Sequence, residues 1–114
     1  MIVDGQTHGG IVQGVGQAIW EQSLFDDNGQ PLCGSFMDYG LPRADQFPSF
    51  KTALNEVRSP TNPLGVKAGG EGGTTPAPAV IVNAVIDALQ GYDIRDLKMP
   101  LTPHTVWKAM QIGQ

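Results

Sequence analysis

Gly65-Val66-Lys67-Ala68-Gly69-Gly70-Glu71-Gly72-Gly73 sets one carboxylate in a run where five of nine residues are glycine. Glycine loses more backbone freedom on folding than any other residue, so this density needs a physical reason. Two reasons are common: positive φ angles, and close approach of backbone to a ligand. Glu71 stands in the middle of the bend, and its carboxylate is the first candidate for chemistry. Downstream, Thr74 or Thr75 suits a helix cap and Pro76 a first turn. Val80, Ile81, Ala84, Val85, Ala88 and Leu89 then form an apolar stripe. Gly91 stands where a C-terminal cap is expected. The bend therefore feeds a helix N-terminus, where free backbone N–H groups point outward.

Upstream, residues 7–22 read as a helix with Ile11, Val12, Val15 and Ile19 on one stripe and Ala18 on its flank. Gly9, Gly10, Gly14 and Gly16 fall inside it, at about 1 kcal/mol each relative to alanine. Such a helix needs close packing or a ligand against its glycine face, and its opening segment reads equally as a loop. Ser23-Leu24-Phe25 and Leu32-Cys33-Gly34-Ser35-Phe36 flank Asp26-Asp27-Asn28-Gly29, the signal of a hairpin with a type I′ turn. Residues 38–49 read as an irregular connection. Phe50 to Val57 alternates as a strand, ended by Pro60 and Pro63, and a last helix begins at Thr102-Pro103 with Val106 and Met110 one turn apart. The fold class is α+β: three helices with a small mixed sheet of three or four short strands. A two- or three-stranded sheet is marginal alone, which raises the question of whether the domain is complete.

Composition narrows the classes. The 114 residues are about one domain's length, with 40% hydrophobic residues but only 16% charged, against about 25% in a typical soluble domain. That deficit implies a surface covered by another subunit or by further parts of the same polypeptide. A net charge of −4 with scattered Lys and Arg argues against a nucleic-acid partner. Cys33 is the sole cysteine, read as a small buried hydrophobe, and His8 and His104 lack neighbours at ligand spacing, so no metal ligand is assigned. Met1-Ile2-Val3-Asp4 has no basic leader, and no run approaches the roughly 18 apolar residues of a membrane span. A cytoplasmic location is the expectation.

The bend is neither a Walker loop, since Lys67 precedes the glycines, nor a dinucleotide fingerprint, since Ile19 stands where Gly14-Val15-Gly16 needs a third glycine. Phosphate binding by its backbone N–H groups is physically open. So is a plain tight turn with Glu71 solvated at a helix start, where the dipole favours a carboxylate. Gln13 reads either as an amide presented to a polar ligand from a glycine-flanked helix or as a solvent-side glutamine, and Gln6, Gln17 and His8 share that ambiguity. Trp20 and Trp107 read as packing anchors.

Taken in order, four stretches resemble one family. They are Gly5-Gln6-Thr7-His8-Gly9-Gly10-Ile11-Val12-Gln13-Gly14-Val15-Gly16, the Asn28-Gly29 turn, Gly65 to Gly72 followed by Asn83 to Leu89, and Pro100-Leu101-Thr102-Pro103-His104-Thr105-Val106-Trp107-Lys108-Ala109. The chain resembles the C-terminal segment of the molybdopterin-binding large subunit of the xanthine dehydrogenase and aerobic carbon monoxide dehydrogenase family, the molybdenum hydroxylases. Single motifs are weak; the ordered set, covering nearly all of residues 1–114, is strong.

The resemblance implies part of a larger molybdenum-cofactor-binding domain. It implies a molybdenum-pyranopterin, as molybdopterin or its cytosine dinucleotide. It also implies an aldehyde, N-heterocycle or CO-type substrate, with electrons passing to iron–sulfur and FAD subunits or domains. The glutamate at the position of Glu71 is then the general base on a metal-bound hydroxyl, Gln13 contacts the cofactor, and Gly14, Gly69, Gly70 and Gly72 let backbone approach it. Only a final segment is matched, so the remaining large-subunit segments are expected partners. Alone, the chain is expected to bind no molybdenum, turn nothing over, and associate with itself. The competing readings are a non-enzymatic assembly module that pairs with a partner chain, and a free phosphate binder.

Overall fold

The computed structural model describes residues 1–112. Three α-helices carry the fold: α1 (Ile2–Ile19), α2 (Ala77–Ala88) and α3 (Pro103–Ile112). Single 3₁₀ turns at Ala44–Gln46 and Gln90–Tyr92 punctuate the connections.

The two longer helices pack on each other through small residues. Gly73, just before α2, lies so close to α1 that a Cβ there would overlap the Thr7 carbonyl oxygen and stand 3.0 Å from the Ile11 nitrogen. A Cβ on Gly14 would meet the Ala77 Cβ at 2.6 Å. Two of the glycines that tax α1, Gly10 and Gly14, are thus the surface on which the glycine bend and the start of α2 rest, while Gly16 packs on Pro42. This contact also corrects the expected helix bounds. The helix runs from Ile2, with no loop in its opening segment, because packing outweighs the weak intrinsic propensity of Gly5, Gly9 and Gly10.

Among the described residues, buried apolar residues are few: Val15 and Ala18 on α1, Ala77 and Leu89 at the two ends of α2, and Leu101 before α3. Leu101 is 3% exposed with its N–H donating to the Ala18 carbonyl at 2.6 Å. That bond ties the entry to α3 against the end of α1. At the start of α3 the Thr102 hydroxyl accepts from the Thr105 N–H at 3.2 Å, a side-chain cap, with Pro103 in the first turn as the sequence indicates. The cap of α2 differs from expectation. Pro76 occupies the N-cap position without any side-chain bond, so neither Thr74 nor Thr75 serves. At the other end Leu89 closes the helix, and the left-handed residue beyond it is Asp93 (φ 49°), not Gly91.

The expected small mixed sheet is not formed by the described residues. Among the described residues the β pairing is an isolated antiparallel bridge between Phe25 and Pro31. The turn lies where Asn28-Gly29 signals it: Gly29 donates to the Asp26 carbonyl at 3.0 Å, and the Asp26 carboxylate accepts from the N–H groups of Asn28 and Gln30. Gly29 alone has positive φ (82°), which makes this a type I turn closed by a left-handed glycine and excludes type I′. Its arms end after one pair. Phe50 to Val57 has the alternation of a strand but no backbone partner among the described residues, and alternation alone makes no ladder.

The result is an open shape. The radius of gyration is 18.0 Å, where about 13 Å is usual at this length. The accessible surface is 8857 Å², where about 6,000 Å² is usual for 12.1 kDa. Ile2, Phe36, Met37 and Leu64 are among many large apolar side chains left in solvent. Burial this sparse leaves the entropy of ordering the chain poorly offset.

Candidate functional site

The bend around Glu71 is anchored on both sides. Thr75 N–H donates to the Glu71 carbonyl at 3.1 Å, starting the turn that becomes α2. Before it, the Gln6 side-chain amide reaches across from α1 and donates to the Gly70 carbonyl at 2.8 Å. Farther upstream Gly65, at φ 68°, takes the left-handed conformation, and the Asn62 amide brackets Val66 with bonds to its N–H and carbonyl.

These contacts separate the glycines by physical role. Gly65 meets the positive-φ requirement and Gly73 the close approach to α1. Gly69, Gly70 and Gly72 do neither: none has positive φ, and a Cβ on any of them would find no atom within 4 Å. Glycine at these three positions leaves bare, open backbone on both sides of Glu71. The Glu71 side chain is exposed and makes no hydrogen bond or ion pair among the described residues. An open groove of about 590 Å³ adjoins the upstream end of the bend, lined in part by Val3, Arg58, Lys67 and Gly69.

Gln13 lies on the same side of α1. At 100° per residue, Gln6, Gly10, Gln13 and Gln17 fall within an arc of about 60°, a polar flank beside the glycine contact. Gln13 stands two turns, about 10 Å, beyond Gln6 along the axis. Its amide is exposed and has no partner among the described residues, and no bond joins it to Glu71. Gly14 differs from the other expected cofactor-contacting glycines because it is buried against Ala77 and Pro78. So α1 carries Gln13 and, through Gly10, Gly14 and Gly73, also supports the bend that carries Glu71.

Two further residues gain meaning from the structure. Gln6, ambiguous in sequence, is the glutamine that touches the bend; its only sequence signal is the seven-residue spacing to Gln13. His8 turns to the apolar side, its ring 5.5 Å from that of Phe50, with Nε2 buried and unpartnered among the described residues. Cys33 is half-buried, its thiol in contact with the backbone of Leu24. Among the described residues no group of three or more His, Cys, Asp or Glu could hold a metal ion, and no helix is long and apolar enough to cross a membrane.

Comparison with known proteins points to one family. Residues 1–48 match the molybdopterin cofactor-binding domain family. The chain is 41% identical over 108 residues to the nicotine 6-hydroxylase large subunit of Paenarthrobacter nicotinovorans, covering 95% of this chain and 13% of that one. Its fold superposes on quinoline 2-oxidoreductase from Pseudomonas putida 86 with a TM-score of 0.90 at 38% identity, over 97% of this chain and 14% of that one. Reconstituted CO dehydrogenase from Oligotropha carboxidovorans gives 0.91 at 32% identity, over 99% and 14%. Over nearly its whole length the chain matches a segment of the molybdopterin-binding large subunits of the molybdenum hydroxylases. It spans about one seventh of the length of the relatives it matches.

Proposed function

We propose that this chain is the part of a molybdenum hydroxylase large subunit that presents the catalytic base, Glu71, to a molybdenum-pyranopterin and its substrate. The observation that carries this reading is the pairing of an unpartnered, exposed carboxylate with bare backbone at Gly69, Gly70 and Gly72, where neither dihedral angles nor packing within the chain calls for glycine.

The residues present fit such a group. The N–H groups of Gly69, Gly70 and Gly72 would meet the polar edge of the cofactor with no Cβ in the way, and the free amide of Gln13 would meet it from α1. Gly14 contributes by letting the two helices close on one another, which sets the spacing between Gln13 and the bend. When bound, the molybdenum-pyranopterin supplies oxygen transfer and takes up two electrons from the substrate. Glu71 then takes the proton from the water-derived nucleophile onto a carboxylate oxygen, a task that requires it to be ionised and within hydrogen-bond reach. The substrate belongs to the aldehyde, N-heterocycle or CO-type class, consistent with the nicotine, quinoline and CO enzymes it resembles.

The exposed apolar surface supports a second part of this reading. Val3, Leu54, Val57, Leu64 and Val66 line or border the groove beside the bend and are each 46% or more exposed. We infer that the remaining large-subunit segments cover them, with iron–sulfur and FAD subunits or domains completing the electron path. An assembly module without catalysis would share this surface, so the discriminating experiment is co-expression with those segments followed by metal analysis and dye-coupled oxidation. One molybdenum per complex and turnover of an aldehyde or N-heterocycle are expected. A stable complex free of molybdenum and activity would favour the assembly module instead.

A further inference from the structure

We propose that Gln6 is a positioning residue for Glu71, its side-chain amide clamping the peptide that precedes the carboxylate; this rests on the reading of Glu71 as the base. The direction of a Cα–Cβ bond is set by the two peptide planes that flank it. On the C-terminal side of Glu71 that plane is held by the bond from Thr75 N–H to the Glu71 carbonyl, 3.1 Å. On the N-terminal side it is held through the Gly70 carbonyl, which accepts from Gln6 Nε2 at 2.8 Å across 64 residues of chain.

From Lys67 to Gly70 the Gln6 bond is the one hydrogen bond among the described residues. Gly69 and Gly70 have no packing neighbours to restrain them, and glycine offers the widest dihedral freedom. Without the clamp, the peptide joining Gly70 to Glu71 is free to rotate, and the carboxylate swings with it. Misplacement of a reacting group by about 1 Å lowers rates by as much as a hundredfold. The open backbone that suits a ligand thus creates a need for an external restraint, and α1 supplies it. A glutamine fits the task because it donates to a carbonyl without adding charge beside the base.

The test uses the complete, cofactor-loaded enzyme. Gln6→Glu keeps the shape and replaces the donor with an acceptor facing the Gly70 carbonyl; Gln6→Leu removes the donor without charge. Each is expected to lower kcat about tenfold with KM within about twofold and molybdenum content unchanged. Each is also expected to speed hydrogen exchange of the Thr75 amide, the bonded N–H of the bend, about tenfold, and to lower activity no further when Glu71→Gln is already present. Unchanged exchange in the bend overturns the clamp, as does an equal loss of kcat with and without Glu71→Gln. Failure of both variants to assemble assigns Gln6 to folding and overturns it too. If Glu71→Gln by itself leaves turnover intact, the base reading fails, while the exchange result still decides whether Gln6 holds the bend.

Discussion

Gly73 rests against the backbone of Thr7, so closely that no side chain fits between the bend and α1. The neighbouring atoms are main-chain atoms of a helix, which do not yield as a flexible side chain would. Gly73→Ala is therefore expected to destabilise the protein by about 2 kcal/mol, in the range of overpacked cores. Gly72→Ala, one residue earlier and facing open space, is expected to change stability by less than about 0.5 kcal/mol. Thermal denaturation of the two variants checks the contrast.

Gly72 carries a second expectation from the proposed function. A methyl group there adds bulk where the cofactor is proposed to lie. In the assembled enzyme Gly72→Ala is expected to lower pterin and molybdenum content several-fold while the melting temperature of the cofactor-free form holds. A full molybdenum complement would remove Gly72 from the cofactor surface.

Gly14 and Ala77 form a pair that a double-mutant cycle can test. Gly14→Ala brings two Cβ atoms into overlap and is expected to cost about 1–3 kcal/mol. Ala77→Gly in the same protein removes the second Cβ and is expected to restore at least half of that loss. Additive effects, measured by denaturant unfolding, would show that the helices do not meet at this point.

The exposed apolar residues make a prediction about the chain by itself. With Val57, Leu64 and Val66 in solvent, the isolated chain is expected to self-associate and to bind a hydrophobic dye. Leu64→Lys is expected to reduce both, and to weaken capture by the remaining large-subunit segments. Light scattering and pull-down measure the two effects; a monodisperse monomer that binds no dye would argue against an uncovered interface.

How much of this was legible in the sequence depends on how far away each cause lies. The apolar stripes of α2 and α3 are local patterns and appear where periodicity places them, and the turn at Asn28-Gly29 forms in its expected place though not as the type I′ its pair signals. The opening of α1 was not legible, because Gly5, Gly9 and Gly10 speak against a helix and the bend that packs on Gly10 lies more than 60 residues away. The strand expected at Phe50 to Val57 shows the converse. Its alternation is present, but pairing needs two segments, and none among the described residues pairs with it. In the site, the glycine bend and its carboxylate announce themselves by composition. Which glutamine touches the bend depends on helix packing, and no spacing rule separates Gln6 from Gln13 in that respect.

The role proposed for Glu71 is that of the base. Its most direct measurement is the rate of substrate-driven reduction in the assembled, molybdenum-replete enzyme carrying Glu71→Gln, followed in a single turnover. A fall of at least a hundredfold with molybdenum content unchanged is expected, the usual scale for loss of a general base. A reduction rate within about twofold of the parent enzyme would contradict it.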